Sequence, residues 1–465
     1  MPSLLQCFFL LALVSLVLAV PQPKLGKRSF KVERVANPHF RRALDHKRAP
    51  GAGTRALVKA YRKYGMELPR GMVDADGNIP AAVKVAADEL VGHPAVEEAK
   101  AKAKAKGKAN KTKTASSTST AGATVAAAAS TAAASSGSGT VTATPESQDV
   151  EYLAPISIGG QSIVMDFDSG SSDLWVFSTQ LSATAQKGHT NFDTTKSTTF
   201  KTMTGAAFSI SYGDGSGAAG TVGTDTVNIG GATVTNQAIE VATAVSSSFV
   251  SDTNSNGLVG LAFSKLNTVS PTQQKTFFDN AMSTLSQPVF TADLRKGAVG
   301  SYEFGNIDST KFNGSLSWAA VNTTTGFWQF SNSKFSVGTG ATTATDGTQA
   351  IADTGTTLML ASSAIVSAYY SQVSGAANDA SAGGITFPCT ATLPDLNVDV
   401  GGNYMALVRG DDINYAPVDS TGTTCFGGLQ ATTNDPQIWG DIMFKSQFVA
   451  FNGGNNSIGM APHQS

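Results

Sequence analysis

The chain has 465 residues, 41% of them hydrophobic and only 14% charged, with 47 glycines. This excludes a single small core and a fold built on long charged helices, and points to a β-rich protein with many turns. The net charge of −1 hides a split: residues 1–140 carry 22 Lys and Arg against 9 Asp and Glu, a net +13, and the rest carries 11 against 25, a net −14. A basic front can mean nucleic acid, but a basic segment joined to an acidic body equally means that the two attract each other, and no nucleic-acid partner is expected.

Residues 4–20, LLQCFFLLALVSLVLAV, form a short apolar core, and Val17-Leu18-Ala19 sets small residues at the usual cleavage spacing. This reads as a signal peptide over 1–19 rather than a membrane anchor, because the run is short for a span. A basic segment follows over 20–94, with Lys27-Arg28, Arg41-Arg42, Lys47-Arg48 and the helical-looking ALVKAYRKYG at 56–65. Residues 95–142 are low in complexity, cannot bury a core, and read as a linker. Past 145, short β-branched and aromatic segments alternate with turn residues: EYLAPISIG, QSIVMDF, FSISYGDGSG, TVTNQAIEVAT, SYEFGNID. These are strand and hairpin signals. Helical stretches are few in this part, with two expected near 272–282 and 362–373.

One pattern occurs twice. MDFDSGSSDLWVF at 165–177 sets Asp168-Ser169-Gly170-Ser171 after an apolar run, and AIADTGTTLML at 350–360 does the same with Asp353-Thr354-Gly355-Thr356. Gly260 of GLVGL follows Asp168 by 92 positions, and Gly440 of IWG follows Asp353 by 87. Internal similarity on that scale means duplicated structural units, here two β lobes that each offer one acidic turn to a shared cleft.

An acid ending an apolar strand is partly desolvated, which raises its pKa. Two such acids brought together hold one proton between them in mild acid. The pair then contains one acid and one base, which can activate a bridging water against an amide carbonyl. Gly170 and Gly355 allow a tight turn with N–H groups near the carboxylates. Ser171 and Thr356 can donate to the outer carboxylate oxygens, while Ser169 and Thr354 can bond across to the facing loop. Cys7 leaves with the signal peptide, and Cys389 and Cys425, 36 positions apart, most simply pair in an oxidising compartment. Without a CxxC they make a poor zinc site, and no HExxH is present. His189 and His463 lack triad contexts. Asp166 is expected on the opposite strand face to Asp168, with a structural role, and Trp439 in the core. Asn313, Asn322 and Asn455 begin glycosylation sequons.

With FDSGSSDLWVFS, SISYGDGSGAAG, GLVGLAFS, IADTGTTLML, FPC…TTCFGG and IWGDIMFKSQFVAFN in one chain, residues from about 150 to 455 resemble the pepsin-like aspartic endopeptidases, most of all the secreted fungal branch. The resemblance implies an all-β, bilobal fold, with pseudo-twofold lobes at 143–317 and 318–465 and the cleft between them. It implies that Asp168 and Asp353 are the catalytic pair, a dyad type known to share one proton. Tyr212, Gly213, Asp214, Gly215 and Ser216 match the flap that closes over substrate, and Trp175 matches the tryptophan that hydrogen-bonds the flap tyrosine. Ser171 and Thr356 match the hydroxyls behind the acids, and Cys389–Cys425 the C-lobe disulfide. An acid at Asp214 is associated with accepting Lys, besides large apolar residues, at the scissile bond. Ser169 stands where the family more often has Thr, and Trp439 where it has an aliphatic residue. No cofactor or metal is implied.

SFKVERVANPHF and ALVKAYRKYG resemble, more loosely, the propeptides of the same branch. A basic propeptide can dock on the acidic body near neutral pH, with a lysine against the dyad: Lys63 is the candidate and Lys59 the rival. Carboxylates protonate in acid while Lys stays charged, so the segment should release there. No dibasic pair lies between Tyr64 and Ala292, so self-cleavage near 140 is expected. The expectation is a secreted, monomeric zymogen acting on polypeptides, free of the membrane once its signal is removed. A vacuolar location is the alternative. A catalytically silent pepsin-like binding protein usually lacks one acid or the flap tyrosine, and this chain has all three.

Overall fold

The computed structural model describes residues 52–64, 66, 134–135, 137–146, 149–212, 216–433 and 435–464. The expected signal peptide, most of the basic segment, residues 95–133 and the flap tip Gly213-Asp214-Gly215 lie outside the described residues.

The fold is two-lobed and all-β, as expected. The large sheet has 14 strands, and two further sheets have 7 and 4. Helices are short: Phe277–Ala281 and Ser363–Tyr370 fall inside the two segments predicted. The large sheet crosses the 317/318 division, since Gln447–Asn452 pairs with Val289–Arg295 and Ser457–Pro462 with Ser317–Ala320. It also corrects the linker expectation: Gly139–Pro145, GTVTATP, is a strand paired with Ala298–Phe304 and with Tyr152–Ile158. Its β-branched Thr140, Val141, Thr142 and Thr144 suit a pleated sheet, and burial alternates along the strand.

The repeated motif becomes a repeated backbone arrangement. In the first lobe, Gln161–Asp168 runs parallel to Gly257–Gly260, with Asp168 opposite Gly260, and Gly257–Gly260 pairs antiparallel with Leu174–Val176. In the second, Thr343–Ala352 runs parallel to Gln437–Trp439, which pairs antiparallel with Met359–Ser362. Gly260 N–H donates to Asp173 C=O at 2.9 Å and Gly440 N–H to Leu358 C=O at 3.1 Å, each acceptor five residues after its acid. A Cβ on Gly260 would sit 2.5 Å from Asp173 N, and one on Gly440 2.0 Å from Thr356 O. The apolar-apolar-Gly signal therefore marks a close crossing of chains. Ile163, Met165 and Phe167 face the core, which by period-two alternation sends Asp166 and Asp168 to the other side of the strand.

Candidate active site

Each acid ends a buried strand and turns into a loop that contacts the other loop. Ser169 N–H donates to Thr354 Oγ1 at 3.0 Å, and Thr354 N–H to Ser169 Oγ at 2.9 Å. Ser169 Oγ donates on to Ala352 C=O at 3.0 Å, and Thr354 Oγ1 to Phe167 C=O at 2.7 Å. This reciprocal lock fixes the two lobes' loops on each other, and Ser169 needs no methyl to make it. Within each loop, Gly170 N–H reaches Asp168 Oδ1 at 2.8 Å, and Gly355 N–H reaches Asp353 Oδ1 at 3.0 Å. Ser171 Oγ donates to Asp168 Oδ2 at 2.7 Å, and Thr356 Oγ1 to Asp353 Oδ2. A Cβ on Gly170 would lie 2.5 Å from Asp353 Oδ1, and one on Gly355 2.3 Å from Asp168 Oδ1. Only glycine lets the acids approach this closely.

A cation stands between them. The helix Ala52–Lys63 brings Lys63 Nζ to 2.8 Å from Asp168 Oδ1, and to 3.0 Å and 2.8 Å from the two oxygens of Asp353. Tyr64 OH donates to Asp353 Oδ2 at 2.6 Å, a contact with no sequence signal, because a tyrosine after a lysine carries no distinctive pattern. Burial pushes the Asp168 carboxyl up, against the pull of Lys63. Burial also pushes Asp353 up, but the Lys63 charge and the bonds from Lys63, Thr356 and Tyr64 outweigh it and hold Asp353 at about 2. Burial opposes the charge on Lys63, yet the two carboxylates raise its pKa above the ordinary lysine value.

Lys59, one turn earlier on the same helix face, pairs with Glu151. Glu146, Glu151 and Asp252 bring carboxylate oxygens within 4.8 Å of one another, and the Lys59 ammonium joins this group through Glu151. Burial first, then the neighbouring carboxylates, lifts Glu146 to about 9 and Asp252 to about 7. The other side of the helix is apolar: Ala56, Leu57, Val58, Ala60 and Tyr61 are buried. It packs on Asn414–Pro417 and Thr424–Gly427, and Thr54 Oγ1 and Tyr61 OH bond to Ala382 and Ala431 carbonyls.

Beside Lys63 a small pocket is lined by Asp166, Asp168, Tyr212, Ser216, Phe249 and Leu258, among others. Trp175 Nε1 donates to Tyr212 OH at 3.1 Å, and Tyr212 N–H to Ser216 C=O at 2.9 Å, so the base of the hairpin is anchored. Asp166 corrects the expectation that it faces away: positions two apart share a strand face, and it lines the pocket beside Asp168. Burial, then Glu151, raises its pKa well above the carboxylate range. Trp439 is fully buried, as expected. His189 stacks on Phe177 at 3.8 Å, and His463 Nε2 meets Phe444 C=O at 2.8 Å, both away from the acids. Asn313, Asn322 and Asn455 are exposed. Cys389 and Cys425 are joined in a disulfide.

Two locked, buried acids that meet one ammonium can carry general acid–base chemistry on a neutral substrate once the ammonium leaves. Comparison with known proteins agrees. A family model for eukaryotic aspartyl proteases matches residues 151–463. The chain is 44% identical over 473 aligned positions, 99% of both chains, to an aspergillopepsin A-like aspartic endopeptidase of Aspergillus fumigatus. It is 50% identical to penicillopepsin-1 of Penicillium rubens over 68% of this chain and 79% of that one. It is 42% identical to endothiapepsin of Cryphonectria parasitica over 94% of this chain and 90% of that one. The chain belongs to the eukaryotic aspartyl protease family and is a pepsin-like aspartic endopeptidase.

Proposed function

We propose that this endopeptidase is secreted as an inactive zymogen and works in acid, with Asp168 and Asp353 as the catalytic pair. The observation that carries the reading is Lys63 Nζ within 3.0 Å of both carboxylates: the basic front segment occupies the position that an attacking water needs. When it leaves, the two acids share one proton. One removes a proton from the water as the other protonates the scissile carbonyl oxygen, and the tetrahedral species collapses as a proton passes to the leaving nitrogen. The Ser169–Thr354 lock holds the acids in register throughout. Tyr212, held by Trp175, lies over the substrate backbone and helps exclude water. Phe249 and Leu258 in the adjoining pocket support a preference for large hydrophobic residues at the scissile bond, and Asp214 at the flap tip would also accept Lys. The substrates are extended polypeptide segments, and the enzyme acts as a monomer.

The test is to express the full chain, hold it below about pH 4 so that the front segment is released, and then follow haemoglobin digestion at about pH 4, near the carboxylate range, with parent and Asp353→Asn side by side. The parent should release a shortened form and digest the protein, and the variant should not digest. Equal digestion by the two would defeat the assignment. Peptide-library cleavage by parent and Asp214→Ala tests the preference: the variant should lose cleavage at Lys and keep apolar cleavage.

A further inference from the structure

A second pair of buried acids lies behind the flap's bearing, and the reaction does not use it. Asp173 directly precedes the Leu174–Val176 strand, and Glu240 lies on the Ala232–Val245 strand, where it is the register partner of Trp175. Each is 1% exposed. A single amide holds both: Asn267 Nδ2 donates to Glu240 Oε1 at 2.9 Å and to Asp173 Oδ1 at 3.2 Å. Asp173 Oδ1 also accepts from the N–H and hydroxyl of Thr268, at 2.9 Å and 2.8 Å. Asp173 Oδ2 and Glu240 Oε2 find no donor among the described residues. Nor does any Lys, Arg or His there form an ion pair with either acid. Two carboxylates buried together without a cation cannot both stay charged, and one proton between them would remove the repulsion and supply the missing donor.

We propose that Asp173 and Glu240 share one proton, carried by Glu240, and that this bond positions Trp175 beneath the flap, so that losing the proton sets the upper pH limit of the folded cleft. The titratable groups that face the pair are Asp168 from the catalytic loop and Tyr212 from the flap. Asp168 adds negative charge, and neither group offers a compensating cation. Burial raises both acids, and for Glu240 the charge of Asp173 adds to it. An acid raised in the folded state binds a proton that the unfolded chain, with its glutamates near 4.3, has released. Its stabilisation is therefore complete below about pH 4 and is lost as pH rises toward the raised value. The pair's proton does not depend on the catalytic assignment; only its effect on proteolysis rests on Tyr212 acting as the flap residue.

The test measures the thermal midpoint of the full chain from pH 4.5 to 8, for the parent and for Glu240→Gln, whose amide donates to Asp173 without a titrating proton. The parent's midpoint should fall more steeply than the variant's, by about 2 °C per pH unit for one proton. An infrared difference spectrum at pH 6.5 should show a protonated-carboxyl band that the variant lacks. Parallel pH slopes with no such band overturn the proposal. Should Glu240→Gln fail to fold, Asp173→Asn, which donates to an ionised Glu240, must give the same flattening, and a parent-like slope there also overturns it. After acid activation, Glu240→Gln should survive a pH 7 incubation several-fold longer than the parent. An inactive chain with the flattened slope would leave the shared proton standing and count against the proteolytic reading alone.

Discussion

Lys63 Nζ reaches Asp168 and Asp353 together because the two acids are held by neighbours that accept no alternative geometry. Each carboxylate already takes a glycine N–H and a hydroxyl, which leaves oxygens on both acids directed at one point. Replacing Asp353 by Asn keeps the shape and removes a titrating group from the pair. In acid-processed enzyme this should lower kcat by about 10²–10⁴-fold with little change in KM, the usual scale for a general acid–base group; steady-state hydrolysis of a peptide at pH 4 measures it. Trp175→Phe removes the donor to Tyr212 OH and leaves part of a fully buried ring site unfilled. A net hydrogen bond is worth about 1 kcal/mol, so kcat/KM should fall roughly 5-fold, with the folded structure intact by circular dichroism. The paired acids were legible from their sequence neighbours because those neighbours are their hydrogen-bond partners. Tyr64 and Asp166 were less legible, since their importance comes from what they face.

The helix Ala52–Lys63 works through two faces of one element. Its apolar side is buried on the second lobe, and Lys59 and Lys63, four apart, reach Glu151 and the dyad. The sign of its pH response follows from Asp353. With a bound-state value of about 2 against about 3.9 in a free chain, the Lys63–Asp353 bond contributes fully above about pH 4. It is lost as pH falls toward 2. The parent chain should thus stay silent at pH 6 and begin to activate below pH 4. Lys63→Gln removes the charge that the acids hold, so peptide hydrolysis by the unprocessed variant should appear at about pH 5, where the parent shows none. A variant as silent as its parent across the whole range would mean that the apolar face alone blocks the cleft.

At the scale of the whole molecule, the lobes are held together by the loop lock and by the large sheet, which contains strands from both lobes. The second lobe carries the Cys389–Cys425 bond across 36 positions, worth about 3–4 kcal/mol in the chain-entropy view. Changing both cysteines to Ser should lower the thermal midpoint by roughly 5 °C, while activity at 25 °C stays near that of the parent, because neither cysteine bonds to the acids or to the loops that hold them. Differential scanning calorimetry with a parallel assay checks both halves of the statement.

From its residues alone the chain reads as a duplicated β protein with two acidic turns, a basic front and an acidic body, because turn chemistry, strand alternation and charge are local properties that survive without a fold. The twin acid-hydroxyl-Gly motifs and the apolar-Gly strands after them already mark where the lobes meet. Tertiary structure alone decided which lysine meets which acid, that residues 139–142 belong to a sheet, and that Asp173 and Glu240 face each other from positions 67 apart. Those outcomes depend on long-range approach and on burial, which strengthens or forbids a charge according to what packs around it, and no stretch of adjacent residues contains that information.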